Sequence, residues 1–210
     1  MHAKTLPEHA QAALAILSTA PILKSAYLAG GSALALHVGH RKSHDFDFYT
    51  RESVRAEDVA RELGKIGNFK TTLMEPPHTL LGEFNRVKFS LFRYDYPLID
   101  VISEFQKVKI AGVKDIAAMK LSAICGRATK RDYVDIFTIS KMHSLEEQLK
   151  WYKKKFGQFG NNLYVIIKAL DFFQDAEADE MPNMFTQVSW EEVKTFLKAE
   201  SHRLAKKYLE

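Results

Sequence analysis

The sequence predicts an α+β fold, a mixed sheet flanked by helices and followed by a bundle of helices alone. Three observations predict it. Residues 27–49 read as strand, helix and strand around a pair of glycines. Residues 69–94 carry three further runs of strand character, broken by turn-forming residues. Beyond about residue 105 the apolar positions recur at helical spacing instead. That shift divides the chain into an α/β core over 1–105 and a helical domain over 106–210.

Composition bounds the reading. The chain has 210 residues, 46% hydrophobic and 27% charged, enough to bury a full core and unlike a disordered polymer. Its single cysteine, Cys125, excludes an internal disulfide and sits in an apolar helical run, which reads as a buried thiol in a reducing cytoplasm. Pro7, Glu8 and His9 stand where a signal peptide needs an apolar core, and no run approaches the length of a membrane span. The formal charge of +4 favours a polyanionic partner only mildly.

Taken in order, Thr5-Leu-Pro-Glu8 reads as a capping box that starts a helix ending before Pro21. The strand–helix–strand stretch follows. A charged, periodic surface helix is expected over 54–66, ended by Gly64 and Gly67, then a strand over 69–74 and a turn at Glu75-Pro-Pro-His78. Two strands, 79–84 and 86–94, meet in a hairpin at Gly82–Asn85, and Leu98 to Ile102 reads as a short edge strand after Pro97. Helices are expected over 113–124, 130–141, from Ser144 onward, over 163–173, and from Ser189 toward Leu209. Ser144 and Ser189 each precede a glutamate by three residues, the mark of a capping box, and Asp175 to Pro182 reads as a loop.

The chemistry concentrates in the first stretch. Asp45-Phe46-Asp47-Phe48 alternates acid and aromatic, so a period of two puts both carboxylates on one face of a strand. Carboxylates side by side repel unless a cation sits between them, which points to a divalent metal. Gly30 and Gly31 let backbone amides approach a ligand at a helix N-terminus, where phosphate is welcome, and Ser32 suits either a phosphate contact or an N-cap. Asp-x-Asp by itself also occurs in glycosyltransferases that hold a metal and a sugar nucleotide, and bland solvated acids are a further alternative.

In the helical half, Val113, Ile116, Ala117, Leu121 and Ile124 form an apolar stripe with Lys120 inside it. A lysine there must snorkel out or meet a counter-charge. Asp132 and Asp135 lie three apart and share a helix face. Arg127 and Arg131 suit a phosphate clamp or pairing with those aspartates, and the sequence leaves both open. Lys150, Lys153, Lys154 and Lys155, with Trp151 and Tyr152 between them, read either as a solvated face or as a nucleic-acid surface. His37, His40 and His44 have loose metal-ligand spacing, more often incidental, and His44 adjoins Asp45.

Gly30-Gly31-Ser32 after a strand, then Asp45-Phe46-Asp47, resembles the signature of polymerase-β-like nucleotidyltransferases, and within them the AbiEii/AbiGii toxin family. Lys120-Leu121 followed by Arg131-Asp132-Tyr-Val-Asp135 resembles that family's helical motif, and the likeness spans roughly residues 25–140. The resemblance implies a nucleotidyltransferase core followed by a helical bundle that completes the active site. It implies transfer of a nucleoside monophosphate from a nucleoside triphosphate to an acceptor, the end of tRNA or other RNA or a protein, by the toxin of a toxin–antitoxin pair. Mg²⁺ or Mn²⁺ on Asp45 and Asp47 is the expected cofactor, and Gly30, Gly31, Ser32, Lys120, Arg127 and Arg131 the expected nucleotide contacts. Lys120, Asp132 and Asp135 join the two metal ligands as expected catalytic residues, and an antitoxin is the expected partner. The family's fold usually brings a third carboxylate from a later strand, yet Arg86-Val-Lys-Phe-Ser-Leu-Phe-Arg-Tyr94 carries no acid. An inactive, binding or regulatory member of the same fold is therefore the alternative.

Overall fold

A computed structural model describes residues 1–75, 79–157 and 163–209, which fall into two compact units, 1–97 with 101–112 and 98–100 with 113–210. The expected turn at 75–78 lies, apart from Glu75, outside the described residues.

The first unit is built on a seven-stranded sheet. Its strands are β1 (Tyr27–Ala29), β2 (Phe46–Thr50), β3 (Phe69–Glu75), β4 (Thr79–Phe84), β5 (Val87–Arg93), β6 (Ser103–Phe105) and β7 (Val108–Ile110), in the order β3-β4-β5-β2-β1-β7-β6. The pairs β2–β5 and β1–β7 are parallel and the others antiparallel, so the sheet is mixed as the sequence predicts. Three helices accompany it: α1 (Glu8–Leu17), α2 (Gly30–Val38) and α3 (Ala56–Ile66).

Alternation makes β2 a strand with two different faces. Phe46, Phe48 and Thr50 are buried, whereas Asp45 just before the strand, Asp47 and Tyr49 are half-buried on the other side. The Phe48 ring lies 5.5 Å from that of Phe89 on β5, and Phe89 lies 5.7 Å from Phe69 on β3. Burial of these rings is the main force that fixes register, because a slip of one residue would turn both phenylalanines to water and both acids inward.

Several local expectations are corrected. No capping box starts α1, since Thr5 sits in a short 3-10 turn and gives its hydroxyl to the His2 carbonyl at 2.7 Å, leaving Pro7 as N-cap. The hairpin between β4 and β5 turns at Asn85 and Arg86, both left-handed at φ 48° and 68°. Gly82 stays within β4, where an added Cβ would meet the Phe69 ring at 2.8 Å. Leu98 to Ile102 forms no strand. The strands lie just beyond, β6 and β7, joined by Gln106 and Lys107 at φ 48° and 63°. Two consecutive left-handed residues match the right-handed twist of a tight hairpin, and without Gly or Asn-Gly at 106–107 the sequence gives that turn no signal.

The second unit holds α4 (Val113–Ile124), α5 (Lys130–Ser140), α6 (Leu145–Phe156), α7 (Leu163–Ala169) and α8 (Trp190–Tyr208) around a core that includes Leu121, Tyr133, Ile136, Ile166, Val193 and Leu197. The Ser144 capping box forms, with Glu147 accepting from the Ser144 amide at 2.9 Å, and Ser189 accepts from the Glu192 amide at 3.1 Å. The helix expected over 163–173 stops at Ala169, and a turn carries the chain into a short 3-10 segment. Cys125 is exposed rather than buried, because α4 ends at Ile124. Lys155 leaves the lysine-rich face altogether: its ammonium is fully buried, 2.6 Å from Asp115 on α4. Asp115 also accepts from the amides of Ile99 at 3.1 Å and Asp100 at 3.0 Å, which pins residues 98–100 to this unit.

Candidate functional site

In the first unit the strand–helix–strand stretch closes on itself. β1 runs antiparallel to β2 with Ala29 opposite Asp47, so the next residue, Gly30, opens α2 beside that aspartate. Gly30 is left-handed at φ 67°, and a Cβ built on it would lie 2.7 Å from Asp47 Oδ2. Only glycine fits both demands. The first turn of a helix has amides without intrahelical acceptors, and the Asp47 carboxylate packs directly against the start of that turn. A Cβ on Gly31 would lie 2.4 Å from the Arg41 guanidinium, which is itself buried.

Ser32 is engaged within the stretch itself. It is buried, and its hydroxyl donates to the Asp45 carbonyl at 2.5 Å while lying 3.0 Å from Ser43 Oγ. It is not the N-cap of α2, which begins two residues earlier. Its observed action is to hold the backbone of Asp45 at the entry to β2. His44 Nε2 lies 3.8 Å from Asp45 Oδ1 and is largely exposed, whereas His37 Nε2 lies 2.8 Å from the Ala111 carbonyl. No group of three or more His, Cys, Asp or Glu side chains suited to a metal occurs among the described residues.

The donor set fits a divalent cation of the Mg²⁺ type. Asp47 is a hard, half-buried carboxylate on β2 packed against Gly30, and Asp45, also half-buried, lies just before the strand. With only two protein carboxylates, water and substrate phosphate would complete the shell, as is usual for Mg²⁺. On β5, the parallel neighbour, the residue paired with Asp47 is Ser90, which is buried. The third acid that the fold commonly brings from a later strand is thus absent from that register position.

In the second unit, α4 and α5 bring Lys120, Asp132 and Asp135 together. The Lys120 ammonium is buried and lies 2.8 Å from Asp132 Oδ1 and 2.6 Å from Asp135 Oδ2. The lysine meets a counter-charge instead of snorkelling. Asp132 also accepts from Thr129 Oγ1 at 2.6 Å and from Arg127 Nε at 3.2 Å. Burial alone would raise the Asp132 carboxyl, but the charges of Lys120 and Arg127 and the hydrogen bonds from Lys120 and Thr129 prevail, holding it below the usual carboxylate range. Arg127 thus pairs with an aspartate, which is one of its two predicted roles. Arg131 is exposed on α5.

Sequence reasoning passed over Arg41 and Ser90. Arg41 precedes the acids in a polar run whose only legible sign is its charge, and Ser90 lies mid-strand with nothing to distinguish it. For Ser90 the missing information is strand pairing, and for Arg41 it is the packing of its guanidinium against Gly31.

Comparison with known proteins agrees with this architecture. Residues 86–205 match the family model described as "Nucleotidyl transferase AbiEii toxin, Type IV TA system". An uncharacterised protein of Aquifex aeolicus (strain VF5) is 36% identical over 190 residues, covering 88% of each chain. Among solved structures, the JHP933 protein of Helicobacter pylori superposes with a TM-score of 0.55 at 18% identity over 96% of this chain and 94% of that one. The nucleotidyltransferase toxin MenT4 of Mycobacterium tuberculosis H37Rv gives 0.54 at 15% identity over 93% and 86%. At that identity the two structures speak for the fold. The family match extends over more than half of the chain, and on that ground the protein belongs to the AbiEii nucleotidyltransferase toxin family.

Proposed function

We propose that the protein transfers a nucleoside monophosphate from a nucleoside triphosphate to an acceptor hydroxyl. The observation that carries the reading is the close approach of Gly30, at the start of α2, to the carboxylate of Asp47. A phosphate grip and a metal-ligating acid are then neighbours by construction. Asp45 and Asp47 hold Mg²⁺ or Mn²⁺, which when bound neutralises charge on the phosphates. The amides of Gly30, Gly31 and Ser32 grip the phosphate chain, and Ser32 keeps Asp45 in place through its carbonyl.

In the reaction the acceptor oxygen forms a bond to the α-phosphorus, the bond to the β-phosphate bridge breaks, and pyrophosphate leaves. The acceptor proton needs a carboxylate, and β5 offers Ser90 where an acid would serve. The Lys120 cluster is assigned to the same reaction by the family motif that contains it. By that motif Asp132 and Asp135 are the candidate proton acceptors, and Lys120 keeps both ionised within the helical unit. Arg127 and Arg131 lend further positive charge. The acceptor is an RNA end, tRNA included, or a protein side chain, and a cognate antitoxin restrains the activity.

Incubating the protein with each labelled triphosphate, Mg²⁺ and either total RNA or a protein fraction tests the reading. Wild type is expected to pass label to one acceptor pool and Asp47→Ala to none. Absence of transfer by the wild type with every triphosphate would overturn it. Ser90 favours one rival, an inactive member that binds nucleotide without transferring it. Mg²⁺-dependent triphosphate binding without product is the outcome that selects that rival.

A further inference from the structure

A groove of about 470 Å³ lies where α6, α7 and α8 meet, well separated in sequence from the glycine–aspartate stretch. Leu149, Leu163 and Ile166 supply its aliphatic lining, with Tyr152 beside them and Tyr208 at 42% exposure. Lys150 and Lys153 stand along the rim, three residues apart on α6 and so on one face. Both are exposed, and neither has a carboxylate within ion-pair distance among the described residues. Other cations of the same unit are paired: Lys141 with Glu192, Lys194 with Glu177, Arg203 and Lys207 with Glu146.

The acid that lines the groove is Glu146, and its charge is already answered. Arg203 Nη1 lies 2.8 Å and Lys207 Nζ 2.9 Å from the same oxygen, and hydrogen bonds from these two cations hold its carboxyl down to about 2. An incoming carboxylate would therefore meet Lys150 and Lys153 without being repelled by Glu146. Lys153 lies in the last turn of α6, where the helix dipole favours a cation, but Lys150 lies outside that turn and has no such cause.

We propose that this groove seats the apolar face of an acidic amphipathic helix from a partner protein. A volume of about 470 Å³ is within the range of pockets that enclose a few side chains, the anchors a helix presents at i, i+3 or i+4, and i+7. Carboxylates flanking those anchors pair with Lys150 and Lys153. Tyr152 and Tyr208 also line the groove, so a single-stranded nucleic acid stacking a base on a tyrosine ring is the competing occupant. The three aliphatic residues beside the lysines favour the helix, and the RNA arm of the test separates the two. The proposal concerns binding alone and stands apart from the transfer reaction, so loss of one leaves the other open to measurement.

Fluorescence anisotropy on the full chain tests it, with a labelled Glu/Leu helix of about 16 residues as probe. Three controls accompany it: the same composition scrambled, the Lys/Leu counterpart and a single-stranded RNA of similar length. The amphipathic acidic peptide is expected to bind at least about tenfold more tightly than each control, and Lys150→Glu with Lys153→Glu to weaken it about tenfold or more and to attract the Lys/Leu peptide. Lys150→Ala with Lys153→Ala serves if charge reversal disturbs folding, with circular dichroism as the check. Equal binding of the scrambled peptide overturns the proposal, as does RNA binding at least as tightly, or a wild type indistinguishable from both variants.

Discussion

At the scale of single residues the molecule commits most to Gly30. Its left-handed φ and the 2.7 Å approach of Asp47 Oδ2 to a notional Cβ leave alanine with two penalties at once. Gly30→Ala is expected to cost about 1–3 kcal/mol by denaturant titration and to depress nucleotidyl transfer further than that loss explains, because Asp47 must move. Asp47→Asn should leave the melting temperature near that of wild type while abolishing Mg²⁺-dependent triphosphate binding, read by calorimetry. Asp132 makes a prediction about pH. Its carboxyl titrates lower in the folded chain than in the unfolded one, so its contribution is fully present above the unfolded value of roughly 3.9 and drains away as pH falls through the depressed folded value. Asp132→Asn should flatten the acid limb of the stability curve below about pH 4 and leave its slope near neutrality unchanged.

Elements were legible in proportion to how local their causes are. The alternation of β2, the Ser144 capping box and the apolar stripe of α4 are written in neighbouring residues, and the structure has all three. The Gln106–Lys107 turn carries no such writing, because left-handed backbone is imposed on ordinary residues by the strands it connects, whereas Asn85 marks the earlier hairpin and only Arg86 is an ordinary residue there. Glycine should relieve that imposition. Arg86→Gly and Lys107→Gly are each expected to raise stability by a few tenths to about 1 kcal/mol, measured by urea midpoint. Lys155 was misread for a similar reason: its partner Asp115 lies 40 residues away in sequence, and nothing beside Lys155 foretells that partner. Lys155→Met strands a buried carboxylate and is expected to cost about 3–5 kcal/mol, whereas the pair Asp115→Leu with Lys155→Met should recover part of that loss.

At the scale of the whole molecule the sequence disclosed two kinds of architecture, one with a sheet and one of helices, because hydrophobic period changes along the chain. It did not disclose that three residues upstream of the last hairpin, 98–100, belong with the helices. Those residues are held by Asp115, and Asp100 in turn accepts from the Lys114 amide at 3.2 Å and pairs with the Lys114 ammonium at 3.2 Å. Asp100→Ala removes a cap at the start of α4 and should lower the unfolding free energy by about 1 kcal/mol.

That short tether has a consequence for inheritance and for engineering. The polypeptide visits the helical unit, goes back to finish the sheet and then enters the helices for good. A recombination event at one peptide bond cannot hand over either unit intact. A graft that begins at Val113 leaves behind the amides that Asp115 grips, and one that begins at Leu98 carries off the hairpin at the edge of the sheet. Exchange of the helical unit is therefore expected to succeed only when residues 98–100 move together with 113 onward while 101–112 stay with the sheet.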